Sequence, residues 1–233
     1  MTIDDVTSTT VQSLYGIWDK DPSVVRDVVI QSELVEQSFT NVKQELLGFT
    51  YRTLSASPVG YVIPSGKKAR VMGWKIDLDM CVADTTGCAS PEYGGERAIR
   101  NLLVKEGVLF GVTILPSSNA YCSDSPGGYL FSIDAQTGGL VPERPGFDLN
   151  ADGSFDINDI NDANGDETIN DNEVPAAIRI EDGLPSDIAV IDGGSSAGSK
   201  VCYQTSTGAL VCTNANVDSK FPEGRLSWKE LAD

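Results

Sequence analysis

The sequence predicts an all-β fold on three observations. Apolar residues recur mostly at period two, Gly, Ser, Pro and Asn turns separate the apolar stretches, and only one short segment reads as helical. In Val71-Met-Gly-Trp74-Lys-Ile76-Asp-Leu78, alternation places Trp74, Ile76 and Leu78 on one face. Val108-Leu-Phe-Gly-Val-Thr-Ile-Leu115 is a nearly continuous β-prone run, the pattern of a central strand buried on both faces. Gly128-Tyr-Leu-Phe-Ser-Ile-Asp134, followed by Ala-Gln-Thr-Gly-Gly139, reads as a strand and a tight turn.

Taken in order, the predicted strands cover 13–18, 29–35, 49–55, 71–78, 97–104, 108–115, 128–134, 177–180, 188–191, 201–205, 210–213 and 225–229. The one helical segment is 22–28, with Asp21 as its N-cap. A strand followed by Asp-x-x-Thr-Gly is the local grammar of a propeller blade's outer hairpin. Twelve strands at about four per blade give about three blades, a portion of a modified β-propeller that does not close a ring alone.

Composition narrows function. The 233 residues carry 17 Lys+Arg, 34 Asp+Glu and no histidine, for a net charge of −17. Without histidine there is no Ser-His-Asp triad, no Cys-His pair and no His-bound metal. The acidic balance argues against nucleic acid or an anionic bilayer as partner. No run of about 18 apolar residues is present, so no membrane span is predicted. The first ten residues lack a basic n-region and an apolar h-region, which leaves a cytosolic protein or a piece of a longer exported one.

Five cysteines, Cys81, Cys88, Cys122, Cys202 and Cys212, include no CxxC pair. Cys81 and Cys88 flank a short loop, and Cys202 and Cys212 sit symmetrically about Thr207-Gly208, a hairpin tip. Two local disulfides, Cys81–Cys88 and Cys202–Cys212, fit an oxidising compartment, with Cys122 left over. With one free thiol, about fifteen arrangements remain open, as does a fully reduced set.

The densest chemical signal is acidic. Residues 148–173 hold nine carboxylates and no Lys or Arg, more than half the net charge. Asp148, Asn150 and Asp152 stand at positions 1, 3 and 5 of a calcium-loop template. Gly153 is at 6 for the sharp turn, Ser154 offers its carbonyl at 7, Asp156 is at 9, and Asp159 replaces the usual Glu at 12. Phe155 and Ile157 are placed to pin the loop to the sheet. A calcium ion takes six to eight such oxygens at about 2.3–2.6 Å, whereas magnesium demands a tighter octahedron. A second half-template follows, with Asp162, Asn164, Asp166, Thr168, Asn170 and Glu173 at positions 1, 3, 5, 7, 9 and 12, and Glu167 where Gly is expected. The second loop starts 14 residues after the first, too close for a pair of EF-hands with helices between them. It reads as a weaker second site or as chain lending a ligand to the first.

Other residues read as structural. Trp18, Trp74 and Trp228 are assigned to packing rather than a sugar platform, and Glu96-Arg97 to a buried ion pair. Asp134 with Thr137-Gly138 is turn chemistry. Ser195-Ser-Ala-Gly198 lies in a loop and does not form a nucleophile elbow. Lys67, Lys68 and Arg70 sit in an exposed loop.

Several blocks together resemble the C-terminal domain of the PilY/PilC family of type IV pilus tip adhesins and assembly factors. They are Gln12-Ser-Leu-Tyr-Gly-Ile-Trp-Asp19, Tyr51-Arg-Thr53, Gly73-Trp-Lys-Ile-Asp-Leu78, Gly95-Glu-Arg97, Ile114-Leu-Pro116, Gly127 through Gly139, and Gly224-Arg-Leu-Ser-Trp-Lys-Glu-Leu231. The resemblance implies that residues 1–233 form the C-terminal part of a PilY-like β-propeller, with an acidic loop inserted at 148–173. It also implies an exported, non-enzymatic protein at the cell surface, outer membrane or pilus tip, in which calcium regulates pilus extension against retraction, twitching motility and attachment. The implied partners are pilin or minor pilin subunits, a host or abiotic surface, and the remainder of a longer polypeptide. The alternatives are a carbohydrate-binding β module with structural calcium, or a propeller hydrolase or dehydrogenase fragment.

Overall fold

The computed structural model describes residues 10–18, 29, 31–39, 44–60, 71–78, 95–115, 127–141, 145–162, 167–168, 170, 173–192 and 199–217. Within them lie twelve strands: β1 (Gln12–Ile17), β2 (Leu34–Gln37), β3 (Gln44–Leu46), β4 (Phe49–Arg52), β5 (Gly73–Leu78) and β6 (Leu103–Lys105), then β7 (Val108–Val112), β8 (Gly128–Asp134), β9 (Ala177–Ile180), β10 (Ala189–Asp192), β11 (Ser199–Gln204) and β12 (Leu210–Ala215). The only helical pieces among these residues are two 3₁₀ turns, Gln31–Glu33 and Ile157–Asp159. The all-β class therefore holds. No helix here is long and apolar enough to cross a membrane.

The grouping differs from three blades of four. The strands form a six-stranded sheet in the order β3-β4-β9-β8-β7-β6 and two three-stranded sheets, β1-β5-β2 and β10-β11-β12. Pairing is antiparallel throughout except for β2 against β5, which is parallel. β7 is buried at all five positions, as its nearly continuous apolar run predicted, and β8 is buried at its first six. Alternation sends their side chains to two different cores. Leu109, Tyr129, Phe131 and Ile133 join Leu14, Trp74 and Ile76 on one face of the sheet. Val108, Phe110, Val112 and Leu130 join Tyr51, Phe147 and Val201 on the other.

Three differences from the sequence expectations have local causes. The strand expected at 29–35 begins later, because 31–33 closes a 3₁₀ turn before β2. In 97–104 only a short strand forms. Arg97 exchanges two main-chain hydrogen bonds with Ile114. Arg100 Nε then donates to Pro185 O and Asn101 N to Asp187 Oδ1, which draws the chain toward the turn before β10. β3 had no counterpart in the expectations. Its hairpin to β4 turns through Leu47 and Gly48, at φ 52° and 84°. Both central residues of a type I′ turn need positive φ, a position where leucine gives no sequence cue.

The helix expected at 22–28, the strand at 225–229, Cys81, Cys88, Cys122, Trp228, the basic loop residues Lys67, Lys68 and Arg70, and Ser195 to Gly198 lie outside the described residues.

Candidate functional site

The first acidic loop is built on two buried carboxylates. Asp148 is 3% exposed and Asp159 fully buried. Asp148 Oδ1 accepts from Asp152 N (3.2 Å), and Oδ2 accepts from Gly153 N (2.9 Å) and Asn214 Nδ2 (2.7 Å). Asp159 Oδ1 accepts from Leu149 N (2.7 Å) and Asn150 N (3.2 Å), and Oδ2 from Asp156 N (3.2 Å). Positions 1 and 12 of the template thus gather the N–H groups of positions 2, 3, 5, 6 and 9. The chain curls around them because Gly153 adopts φ +87°, the left-handed region that glycine enters without penalty. Asp156 caps the 3₁₀ turn Ile157–Asp159, and the Asp159 side chain bonds back to Asp156 N in a reciprocal capping box.

The remaining donors are more exposed. Asn150 Oδ1 accepts from Asp152 N (2.9 Å), and Asn150 Nδ2 donates to Asp152 Oδ2 (2.9 Å). Asp152 Oδ1 accepts from Ser154 N (2.7 Å), and Asp156 Oδ1 from Asn158 N (2.8 Å). The Ser154 N–H bond, with Asn150 behind it, holds the Asp152 carboxyl below its ordinary range. Burial pushes the Asp159 carboxyl up; three backbone N–H bonds pull against that, and the Asp148 charge pushes it further up.

Side chains anchor the loop to both cores. Leu149 enters the second cluster, and Ile160, with Ile157 partly buried beside it, packs on the first. Of the two apolar pins expected, Ile157 is in place and Phe155 is only half-buried.

This donor set is all hard oxygen, which suits a calcium-sized cation and no softer metal. An ionised carboxylate offers about four lone-pair directions. Asp148 and Asp159 each use three, so each keeps one. Among the described residues no lysine or arginine pairs with either. Equally, no group of three or more Asp, Glu or Cys side chains there is arranged to hold a metal ion. Asp152 and Asp156 are turned onto the N–H groups of Ser154 and Asn158 instead.

In the second half-template Asp162, Thr168, Asn170 and Glu173 are described, and Asn164 and Asp166 lie outside. Glu167 takes φ +56° and donates its N–H to Asp162 Oδ2 at 2.9 Å, as Gly153 does to Asp148. Asn170 Nδ2 donates to Glu173 Oε2 (3.1 Å), and Glu173 is buried.

Cys202 and Cys212 form a disulfide directly across β11 and β12, with Cα atoms 4.1 Å apart. Glu96 is buried in an ion pair, but its partner is Arg52 rather than Arg97. Arg97 Nε turns back to Gly95 O. Trp74 is packed as expected, its Nε1 donating to Ala135 O. Asp134 Oδ1 accepts from Gln136 N, Thr137 N and Thr137 Oγ1, the anticipated turn chemistry. Asn214, the distant partner of Asp148, carried no sequence signal.

No protein-family model matches the chain. A search of solved structures matches the crystal structure of the Pseudomonas aeruginosa PilY1 C-terminal domain, with a TM-score of 0.68 and 18% identity over 93% of this chain and 39% of that one. This chain shares the fold of the PilY1 C-terminal domain. Two type IV pilus biogenesis factor PilY1 homologs of Xylella fastidiosa are similar in sequence. One is 28% identical over 152 residues, 64% of this chain, and the other 24% over 138 residues, 59% of it. Those matches span 10% and 8% of the relatives' own lengths. The resemblance to the PilY/PilC C-terminal domain thus holds in sequence and in fold, and the acidic loop lies on a PilY1-like sheet scaffold.

Proposed function

We propose that this chain is a calcium-binding portion of an exported, type IV pilus-associated protein that has no enzymatic activity. It serves pilus assembly, retraction control and adhesion at the cell surface or pilus tip, with pilin or minor pilin subunits and a host or abiotic surface as partners. The pilus association is supported by the similarity to PilY1 homologs, which are named as pilus biogenesis factors. The calcium reading is carried by one observation. Two buried carboxylates, Asp148 and Asp159, stand in one loop with no cationic side-chain partner among the described residues. Three hydrogen bonds offset only part of the cost of burying each charge, and a bound cation would offset more of it.

Asp148, Asn150, Asp152, Asp156, Asp159 and the Ser154 carbonyl would hold the ion. Calcium would supply the positive charge that the segment lacks. The chain's own residues do the rest. Asp148 and Asp159 fix the turn, Leu149 and Ile160 tie it to both cores, and Gly153 permits the reversal. Because calcium binds the folded loop, it stabilises the fold by RT ln(1 + [Ca]/Kd), about 2.7 kcal/mol at a hundredfold excess over Kd. Extracellular modules work at Kd of roughly 10⁻⁴–10⁻³ M.

Titration calorimetry on chelator-treated protein tests this. One loop's worth of binding is expected in the parent, with a loss of at least tenfold in affinity in Asp152→Ala at unchanged β content. Unaltered binding in that variant would refute the ligand assignment.

A further inference from the structure

β12 is the outer strand of its sheet and carries the cross-strand disulfide on one side and the acidic loop on the other. Toward β11 it is held by the antiparallel ladder and by Cys202–Cys212. Its opposite edge receives the entry of the loop. Phe147 bridges Ala215, Asn216 N donates to Gly146 O (3.0 Å), and Asp148 N donates to Asn214 O (3.2 Å). The Asn214 amide completes the contact at 2.7 Å from Asp148 Oδ2. Position 1 of the loop therefore hangs on a strand whose apolar hold on the core is Ala215 and the partly buried Val211. Of the six residues of β12 only Ala215 is buried. Cys212 is exposed, so a dissolved thiol can reach the bond from that side.

We propose that the Cys202–Cys212 disulfide sets the cation affinity of the loop at residues 148–159, high when oxidised and low when reduced. This rests on the calcium reading above. Reduction needs a small-molecule thiol of the glutathione or dithiothreitol class. Its thiolate attacks one sulfur, the S–S bond breaks, and a second thiolate releases the mixed disulfide. Two electrons pass to the protein, each cysteine sulfur takes a proton, and the reductant leaves as its own disulfide. Freed of the cross-link, β12 keeps only its ladder to β11 and the contacts of Ala215 and Val211, and an outer strand so held is the part of the sheet that opens first. Asn214 and the main-chain bonds to residues 146–148 then no longer hold Asp148 in place.

Linkage makes the effect reciprocal: whatever factor oxidation adds to calcium affinity, calcium adds to the resistance of the disulfide to reduction. Two measurements on the whole chain test it. Calorimetry compares calcium chloride binding to the oxidised parent and to Cys202→Ser/Cys212→Ser, with a loss of at least fivefold expected in the variant. Asn214→Ala is expected to weaken binding in the parent and to add little in the Ser/Ser background.

Separately, the parent is equilibrated in thiol–disulfide buffers with and without calcium. Alkylation and peptide mass spectrometry read Cys202 and Cys212 alone, and their reduction equilibrium is expected to shift at least fivefold toward the oxidised form with calcium. This arm needs no variant and decides the matter if the Ser/Ser protein does not fold. Equal affinity with and without the cross-link, or a calcium-independent redox equilibrium in a protein that does bind calcium, overturns the coupling. A parent that binds no calcium overturns the calcium reading itself.

Discussion

Arg52 and Glu96 meet in a fully buried, two-pronged ion pair. Nη1 lies 3.0 Å from Oε2 and Nη2 2.7 Å from Oε1, with both side chains at 1% exposure or less. The guanidinium is sandwiched between the Tyr129 ring at 3.7 Å and the Phe39 ring at 4.5 Å. Arg52 ends β4, whose register pairs it with Ala177 of β9. The pair thus ties the segment before β6, at one edge of the six-stranded sheet, to β4 near the other.

Glu96→Ala should destabilise the fold by roughly 3–5 kcal/mol, because it strands a buried guanidinium. Replacing both partners by apolar residues of similar volume should cost much less. Urea denaturation of the two single variants and the double variant reads the difference. Additive losses would show that the pair does not act as a unit.

Gly138 fixes the turn after β8 against Trp74. Its φ is +66°, and a Cβ built there would stand 2.2 Å from Cδ2 of the Trp74 indole. Gly138→Ala should therefore lower the thermal midpoint by more than the loss of a glycine alone explains, and should shift the tryptophan emission. A wild-type midpoint would place the indole elsewhere.

Two phenols should resist alkaline titration. Burial pushes Tyr51 up to about 12, a backbone hydrogen bond at Asn161 pulls against it, and the Glu173 charge adds to the rise. Burial, with the Asp182 charge, pushes Tyr203 to about 12 as well. In the unfolded chain both ionise near 10, so the folded state holds more protons between about 10 and 12. Stability from these groups is whole below about 10 and is lost as pH rises toward 12. Phenolate absorbance should show two late-ionising tyrosines, each removed by its Phe variant. All tyrosines titrating together in a still-folded protein would contradict the burial.

Legibility in the sequence followed the range of the interactions. β5, β7, β8 and β9 were readable because alternation or an unbroken apolar run is a local record of burial on one face or two. β3 was not, because Leu47 gives no cue for the positive φ its turn requires. The ion pair was sensed at Glu96 but given to the wrong arginine. Neighbours on an extended chain point to opposite sides, and the true partner lies 44 residues away.

The acidic loop shows the same division. Its spacing put Asp148, Gly153 and Asp159 in one tight loop, and the hydrogen bonds and turn that join them arise within twelve residues. The tie from Asp148 to Asn214 spans 66 residues and leaves no trace in the pattern. The disulfide between Cys202 and Cys212 was legible because a hairpin tip lies midway between them.

The calcium-loop assignment is tested most directly by an anomalous difference map from crystals grown in calcium. A peak is expected within about 2.3–2.6 Å of oxygens from Asp148, Asn150 and Asp152. A map with no peak there, and with Asp148 and Asp152 still bonded only to the loop's own N–H groups and Asn214, would contradict it.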